Sequence, residues 1–213
     1  MTPRLRIALG LFCLAVFGLL AAQLLLHGPM LALDLDVSHW FAAHRHRGLT
    51  RAMLLVSDLH ETPKLLAAAG LVALGFGLGG QLGSALTVLV VPAGMLLNVG
   101  LKHAFGRARP WHQDPLVQIA SYSFPSGHAV ASTVFYGMLC LLVFAHVRSR
   151  WPRAAAAAVA VSMVLVVCFS RVYLGAHFPS DVIAGVAVGT LCLLPLLRPA
   201  GRPSPAARAL PAP

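Results

Sequence analysis

A chain of 213 residues that is 58% hydrophobic and only 10% charged, with a mean hydropathy of +0.80, lies far from soluble globular domains, about a quarter of whose residues are charged. Composition therefore excludes an ordinary soluble enzyme and predicts an all-α integral membrane protein. The formal charge of +10 is not gathered into a long basic run, so it argues for topology signals and an anionic substrate and against a nucleic-acid partner.

In chain order, six apolar stretches approach the ~20 residues needed to cross a bilayer: 5–26, 65–79, 82–101, 129–147, 154–169 and 182–197. They predict a six-transmembrane helix bundle forming a single membrane-embedded domain over 1–198. A basic tail rich in Pro and Ala follows at 199–213, with the composition of a disordered segment. The first stretch follows Arg4 and Arg6 as a signal core would, but it is longer than one and lacks a convincing cleavage site, so it is retained as a membrane helix. The second and fifth are short and need flanking residues to complete a crossing. Gly75, Gly77, Gly79 and Gly80 are expected to end the second and let it approach a neighbour, and Gly185 with Gly189 gives the sixth a small-residue face.

Between the first two stretches, 27–63 mixes Leu33, Leu35, Trp40, Phe41, Met53, Leu54 and Val56 with charges, which predicts an interfacial helical segment in the first outer loop. His39, His44, His46 and His60 have no ligand-like spacing with a carboxylate and read as a solvated face. Trp40, Trp111 and Trp151 fall at span ends, as interfacial anchors do. Cys13, Cys140, Cys168 and Cys192 lie singly in apolar runs and read as small hydrophobes.

Six spans put both termini on one side, and Lys and Arg divide eight against eight between the two sides. Lys102, Arg107, Arg109 and Arg171 belong to the candidate site or its flank. With them set aside, Arg45, Arg47, Arg51 and Lys64 face Arg4, Arg6, Arg148, Arg150, Arg153, Arg198, Arg202 and Arg208. That imbalance predicts cytoplasmic termini and a site facing the periplasm or exterior, as in a protein of a bacterial inner membrane.

Three stretches at span ends carry the chemistry. In 102–110, Lys102 and Arg109 stand seven residues apart; if the third span continues to Pro110, they are about two turns apart on one face and form a fork for an oxyanion. In 124–128, Pro125 suits a helix start, Gly127 opens the backbone N–H groups to an anion, Ser126 adds a hydroxyl and His128 stands in the first turn. In 170–181, Arg171, His177 and Asp181 sit between two apolar runs, where ionisable groups need partners and a purpose. Pro179 suits the first turn of a new helix. Asp181, four residues after His177, is placed to hold one ring nitrogen and leave the other nucleophilic.

Taken together, Lys-x6-Arg-Pro, Pro-Ser-Gly-His and Ser-Arg-x5-His-x3-Asp resemble the signatures of the type 2 phosphatidic acid phosphatase superfamily, in the same order and at the ends of spans three to six. The resemblance covers about 61–197. It implies a lipid phosphate phosphatase in which His177 attacks phosphorus, Asp181 orients it and His128 protonates the leaving oxygen. Lys102, Arg109, Ser126, Gly127 and Arg171 would hold the phosphoryl oxygens, with no metal or other cofactor. Implied partners are a membrane lipid phosphate and the phosphate product; no protein partner is indicated.

Candidate substrates are phosphatidic acid, phosphatidylglycerol phosphate, a lipid A phosphate and undecaprenyl diphosphate, the cell-wall lipid carrier. Competing readings are a vanadium haloperoxidase, which shares the constellation but is soluble or peripheral, and a non-catalytic anionic-lipid binder or carrier. A haem protein is a third, disfavoured because His128 and His177 stand at span ends.

Overall fold

The computed structural model describes residues 1–110, 116–117 and 119–197; Trp111 and the 199–213 tail lie outside them. Among the described residues the regular elements are all helical: α1 (Pro3–Leu25), α2 (Met30–Ala43), α3 (Arg47–Leu59), α4 (Thr62–Leu78), α5 (Leu82–Thr87), α6 (Val90–Phe105), α7 (Gly127–His146), α8 (Arg150–Tyr173) and α9 (Pro179–Leu193), the last closed by a 3-10 turn, Leu194–Leu196. Five stretches are long and apolar enough to cross a membrane: Pro3–Leu25, Leu82–Phe105, Gly127–His146, Arg150–Tyr173 and Pro179–Leu196. The expected second span corresponds to α4, which has 17 residues. Together with α3 it forms a pair bent by 52° that makes a sixth span if counted as one.

Prolines and glycines set the boundaries. Pro3 and Pro179 open α1 and α9 at first-turn positions whose N–H groups have no intrahelical partner. Gly106 closes α6 in the left-handed conformation, φ 58°, which a residue with a Cβ adopts at a cost. The helix therefore ends before Arg109, and the expected alignment of Lys102 and Arg109 along one continuous helix is corrected: Lys102 is helical and Arg109 lies in the loop beyond. Gly79 and Gly80 end α4 as expected. The anticipated close packing is not found there, because no described atom comes within 4 Å of a Cβ built on Gly75, Gly77 or Gly80.

The stretch expected to lie at the interface forms two helices, α2 and α3. On α3, Met53 and Ser57 are buried while Arg47 and Arg51 are exposed, and Met53 packs on Tyr173 and Leu174 at the end of α8. His60 is not solvated as expected. It is buried, with its ring nitrogens 2.7 Å from the Val56 carbonyl and 2.7 Å from the Tyr136 hydroxyl, partners that local spacing could not reveal. His39, His44 and His46 are exposed.

At the centre stands α7: half of its apolar window is buried, against 6% for α1. Val130, Val134 and Met138 of α7 meet Leu65 and Ala69 of α4, Val91 of α6 and Val188 of α9 in the largest apolar cluster. In lipid, helices associate by close approach more than by hiding apolar surface from water, and α9 approaches α7 through glycine. A Cβ at Gly185 would lie 2.7 Å from Ala129 Cβ and 2.8 Å from the Ser126 carbonyl, and one at Gly189 2.7 Å from Thr133 Cβ. This contact fixes where the N-termini of α7 and α9 stand relative to each other. At the opposite end, Arg6 Nη1 donates to the Leu197 carbonyl at 3.2 Å, tying the start of α1 to the residue after the closing turn.

Candidate active site

Four helix ends meet at one end of the bundle: the C-termini of α6 and α8 and the N-termini of α7 and α9. Backbone bonds tie their loops together, Ser126 N–H to the Asp181 carbonyl at 2.9 Å and Ser123 N–H to the Arg107 carbonyl at 2.8 Å. Asn98 of α6 donates from Nδ2 to the Pro125 carbonyl at 3.2 Å. Within this junction is a cavity of about 600 Å³ lined by, among others, Lys102, Arg109, Gly127, His128 and His177. Asp181, Ser126 and Arg171 stand behind its wall, each 1% exposed or less. All eight sequence-designated residues are thus gathered at this end.

His177 follows α8 in a short turn begun by Gly175, φ 69°, and its side chain is buried. Nδ1 lies 3.5 Å from Asp181 Oδ2 and 3.4 Å from Ser123 Oγ. On the other side of the ring, Nε2 lies 3.1 Å from Arg109 Nη1. A guanidinium can only donate, so Nε2 is the acceptor and the neutral ring carries its proton on Nδ1, toward Asp181. Burial lowers the imidazole pKa to about 3, further lowered by Arg109 and Arg171 and partly offset by Asp181. At neutral pH the ring is uncharged, with an Nε2 lone pair on the side of Arg109.

Asp181 is the third residue of α9, and its Oδ2 accepts the Phe178 N–H at 2.9 Å, closing the helix start. The same oxygen accepts the Ser123 hydroxyl at 2.5 Å, and Oδ1 accepts Arg107 Nη1 at 2.6 Å. Both carboxylate oxygens are thus engaged, Oδ2 by two donors besides the His177 ring and Oδ1 by Arg107, which fixes the orientation of the group.

Cations surround the cavity. Arg109 is held by the Ser121 carbonyl at 2.7 Å and the Ala176 carbonyl at 2.6 Å. Burial lowers its pKa from the ordinary value, and the Asp181 charge acts against that shift. Lys102 Nζ donates to the Tyr122 carbonyl. Arg171 Nη1 donates to Ser57 Oγ, while its Nε and Nη2, like Ser126 Oγ, are buried with no hydrogen-bond partner among the described residues. Unsatisfied buried donors are costly, and three of them around one junction suit an oxyanion that accepts from several directions. Gly127 leaves room at the helix mouth, since a Cβ there would stand 3.2 Å from Asn98 Oδ1. His128 Nε2 lies 3.3 Å from the Ser57 carbonyl, an acceptor, which places a proton on that nitrogen. No group of three or more His, Cys, Asp or Glu suited to a metal occurs among the described residues.

Ser57, Asn98, Ser123 and Asp34 belong to none of the three sequence motifs, and Arg107 reads there only as flanking charge. The available signal was the one used for Arg171: a polar side chain inside an apolar stretch, such as Asn98 in α6 or Asp34 between two leucines.

A family model described as the PAP2 superfamily matches residues 81–201. The chain is 38% identical over 117 residues to a lipid A 1-phosphatase of Rhizobium johnstonii, covering 51% of this chain and 43% of that protein. It is 38% identical over 108 residues to phosphatidylglycerophosphatase B of Bacillus subtilis, covering 50% and 52%. The chain thus spans about half the length of the curated relatives it matches. Among solved structures it is similar to a transmembrane PAP2-type phosphatidylglycerolphosphate phosphatase from Bacillus subtilis, with a TM-score of 0.79, 29% identity, and coverage of 90% of this chain and 93% of that one.

Proposed function

The chain belongs to the PAP2 superfamily, and from that premise we propose that it is a membrane lipid phosphate phosphatase working through a phosphohistidine on His177. The observation that carries this reading is the placement of the buried His177 ring, Nδ1 3.5 Å from Asp181 Oδ2 and Nε2 3.1 Å from Arg109 Nη1, which assigns the proton to Nδ1 and leaves the lone pair on Nε2. Nε2 attacks phosphorus, forming a P–N bond as the P–O bond to the lipid breaks. His128, entering the step protonated on both ring nitrogens beside the bound anionic phosphate, gives one proton to the departing lipid oxygen and is left neutral, and Asp181 balances the positive charge that develops on the His177 ring. Water then attacks the phosphohistidine, returning a proton to His128 and releasing inorganic phosphate. Lys102, Arg109, Arg171, Ser126 and the Gly127 N–H hold the equatorial oxygens, which is most of what phosphoryl transfer asks of a protein.

A lipid substrate is supported by the apolar helices and by relatives named for lipid A and phosphatidylglycerophosphate. The Lys and Arg distribution supports cytoplasmic termini and a site facing the other side. Purified protein is assayed for released phosphate against phosphatidic acid, phosphatidylglycerol phosphate, a lipid A phosphate and undecaprenyl diphosphate, each with EDTA present. The reading expects EDTA-resistant turnover of a lipid phosphate that is lost in His177→Ala. Turnover that EDTA abolishes, or that survives His177→Ala, contradicts it.

A further inference from the structure

Behind the His177–Asp181 pair lies a second tier of buried charge at positions that none of the three motifs specifies. Arg107, one residue beyond the glycine that ends α6, is 8% exposed, and Asp34 of α2 is 2% exposed. Arg107 Nη1 donates to Asp181 Oδ1 at 2.6 Å and Nη2 to Asp34 Oδ2 at 2.7 Å, so one guanidinium bridges two carboxylates. Ser180 completes the knot: its N–H donates to Asp34 Oδ1 at 3.1 Å, its hydroxyl donates to Asp34 Oδ2, and Arg107 Nη1 also lies 2.7 Å from that hydroxyl. The guanidinium carbon stands 4.3 Å over the Phe178 ring, between His177 and Pro179.

We infer that Arg107, held by Asp34, is the positioning residue that fixes the Asp181 carboxylate against His177, while taking no part in holding the phosphate. This rests on the proposed nucleophilic role of His177. Two observations separate Arg107 from the phosphate-holding cations. Both of its terminal nitrogens are occupied by carboxylates, whereas Arg171 keeps two donors unpartnered. From Arg109 and Lys102 it differs in position, since both of them line the cavity and Arg107 does not; from Arg171, which also stands behind the wall, it differs in having no terminal donor without a partner among the described residues. Desolvating a guanidinium and two carboxylates is expensive, and such a cluster persists where the geometry is good and the remaining donors and acceptors are satisfied, as here. Its chemical return is a carboxylate that cannot rotate away from Nδ1, and hence a ring that presents Nε2 in one tautomer.

Arg107→Gln, Arg107→Lys and Asp34→Asn are compared with wild type and with His177→Ala for kcat, KM, inhibition by inorganic phosphate and thermal unfolding. Arg107→Gln is expected to lower kcat by roughly 10- to 100-fold, as loss of an outer partner of a working histidine does, with KM and phosphate inhibition unchanged. Arg107→Lys recovers part of the loss, and Asp34→Asn shows a smaller fall of the same kind. A double-mutant cycle supplies the sharper reading: in an Asp181→Asn background, adding Arg107→Gln or Asp34→Asn costs no further kcat, because the group being positioned is already gone. Should Arg107→Gln fail to fold, the near-isosteric Asp34→Asn carries the same cycle. Full additivity with Asp181→Asn, or a loss expressed in KM and phosphate inhibition, overturns the inference. An active His177→Ala overturns instead the reading on which it rests.

Discussion

His177 is legible from its own neighbourhood, because Pro179 and Asp181 announce a helix start two and four residues on and give the ring an acceptor. Lys102, Arg109, Ser126 and His128 were equally readable, each at a span end with a chemical reason to be there. Ser57, Ser123 and Asp34 were not. Their partners lie 114, 58 and 146 positions away, and a lone serine carries no spacing to read. Ser57 is informative, since its hydroxyl receives Arg171 and its carbonyl faces His128. Ser57→Ala removes the hydroxyl and keeps the carbonyl, so Arg171 alone loses a partner; phosphate inhibition should weaken while the dependence on leaving group stays as in wild type. Titration of His177 is a second check at this scale. Its folded pKa of about 3 lies below the unfolded value of 6.5, so the unfolded chain binds more protons between them. The ring's contribution to stability is complete above about pH 6.5 and is lost as pH falls toward 3. Unfolding followed from pH 8 to pH 4 should show this acid loss, reduced in His177→Gln.

Helix boundaries were readable where proline or glycine sets them, as at Pro179 and Gly79. The end of α6 falls short of Pro110 because two punctuators compete there, Gly106 and Pro110, and the glycine acts first. Arg109 reaches the site from a loop as a result, and five hydrogen-bonding contacts, rather than helix register, hold it in place. The small-residue face at Gly185 and Gly189 was foreseen, and the structure adds what it touches. Gly185 meets the Ser126 carbonyl, which is backbone and cannot swing aside. Gly185→Val should therefore push the mouth of α7 away from α9, at about the 1–3 kcal/mol typical of overpacking. The expected signature is lower thermal stability together with lost turnover. Gly70→Val, where no described atom lies within 4 Å of the added Cβ, should change neither.

At the scale of the whole molecule, composition was enough to predict a helical membrane bundle. The pairing of elements was not, because in a chain this apolar many helix faces are interchangeable and polar knots such as Arg107 with two aspartates select among them. The fold places Arg6 and Leu197 at one end and the cavity beside His177 at the other. Single cysteines introduced at Arg4 and Arg47 in a cysteine-free background should therefore label from opposite sides of sealed vesicles; labelling from one side would contradict this arrangement. The proposed function depends on one imidazole meeting phosphorus within a ring of cations. The most direct measurement is a rapid quench with lipid substrate carrying a radioactive phosphate, keeping the quenched protein alkaline because a phosphohistidine survives base and not acid. Wild type should carry alkali-stable, acid-labile label on the peptide containing His177, with none in His177→Ala. Label that persists in His177→Ala, or single-turnover hydrolysis by wild type with no labelled protein at any time, would contradict the account.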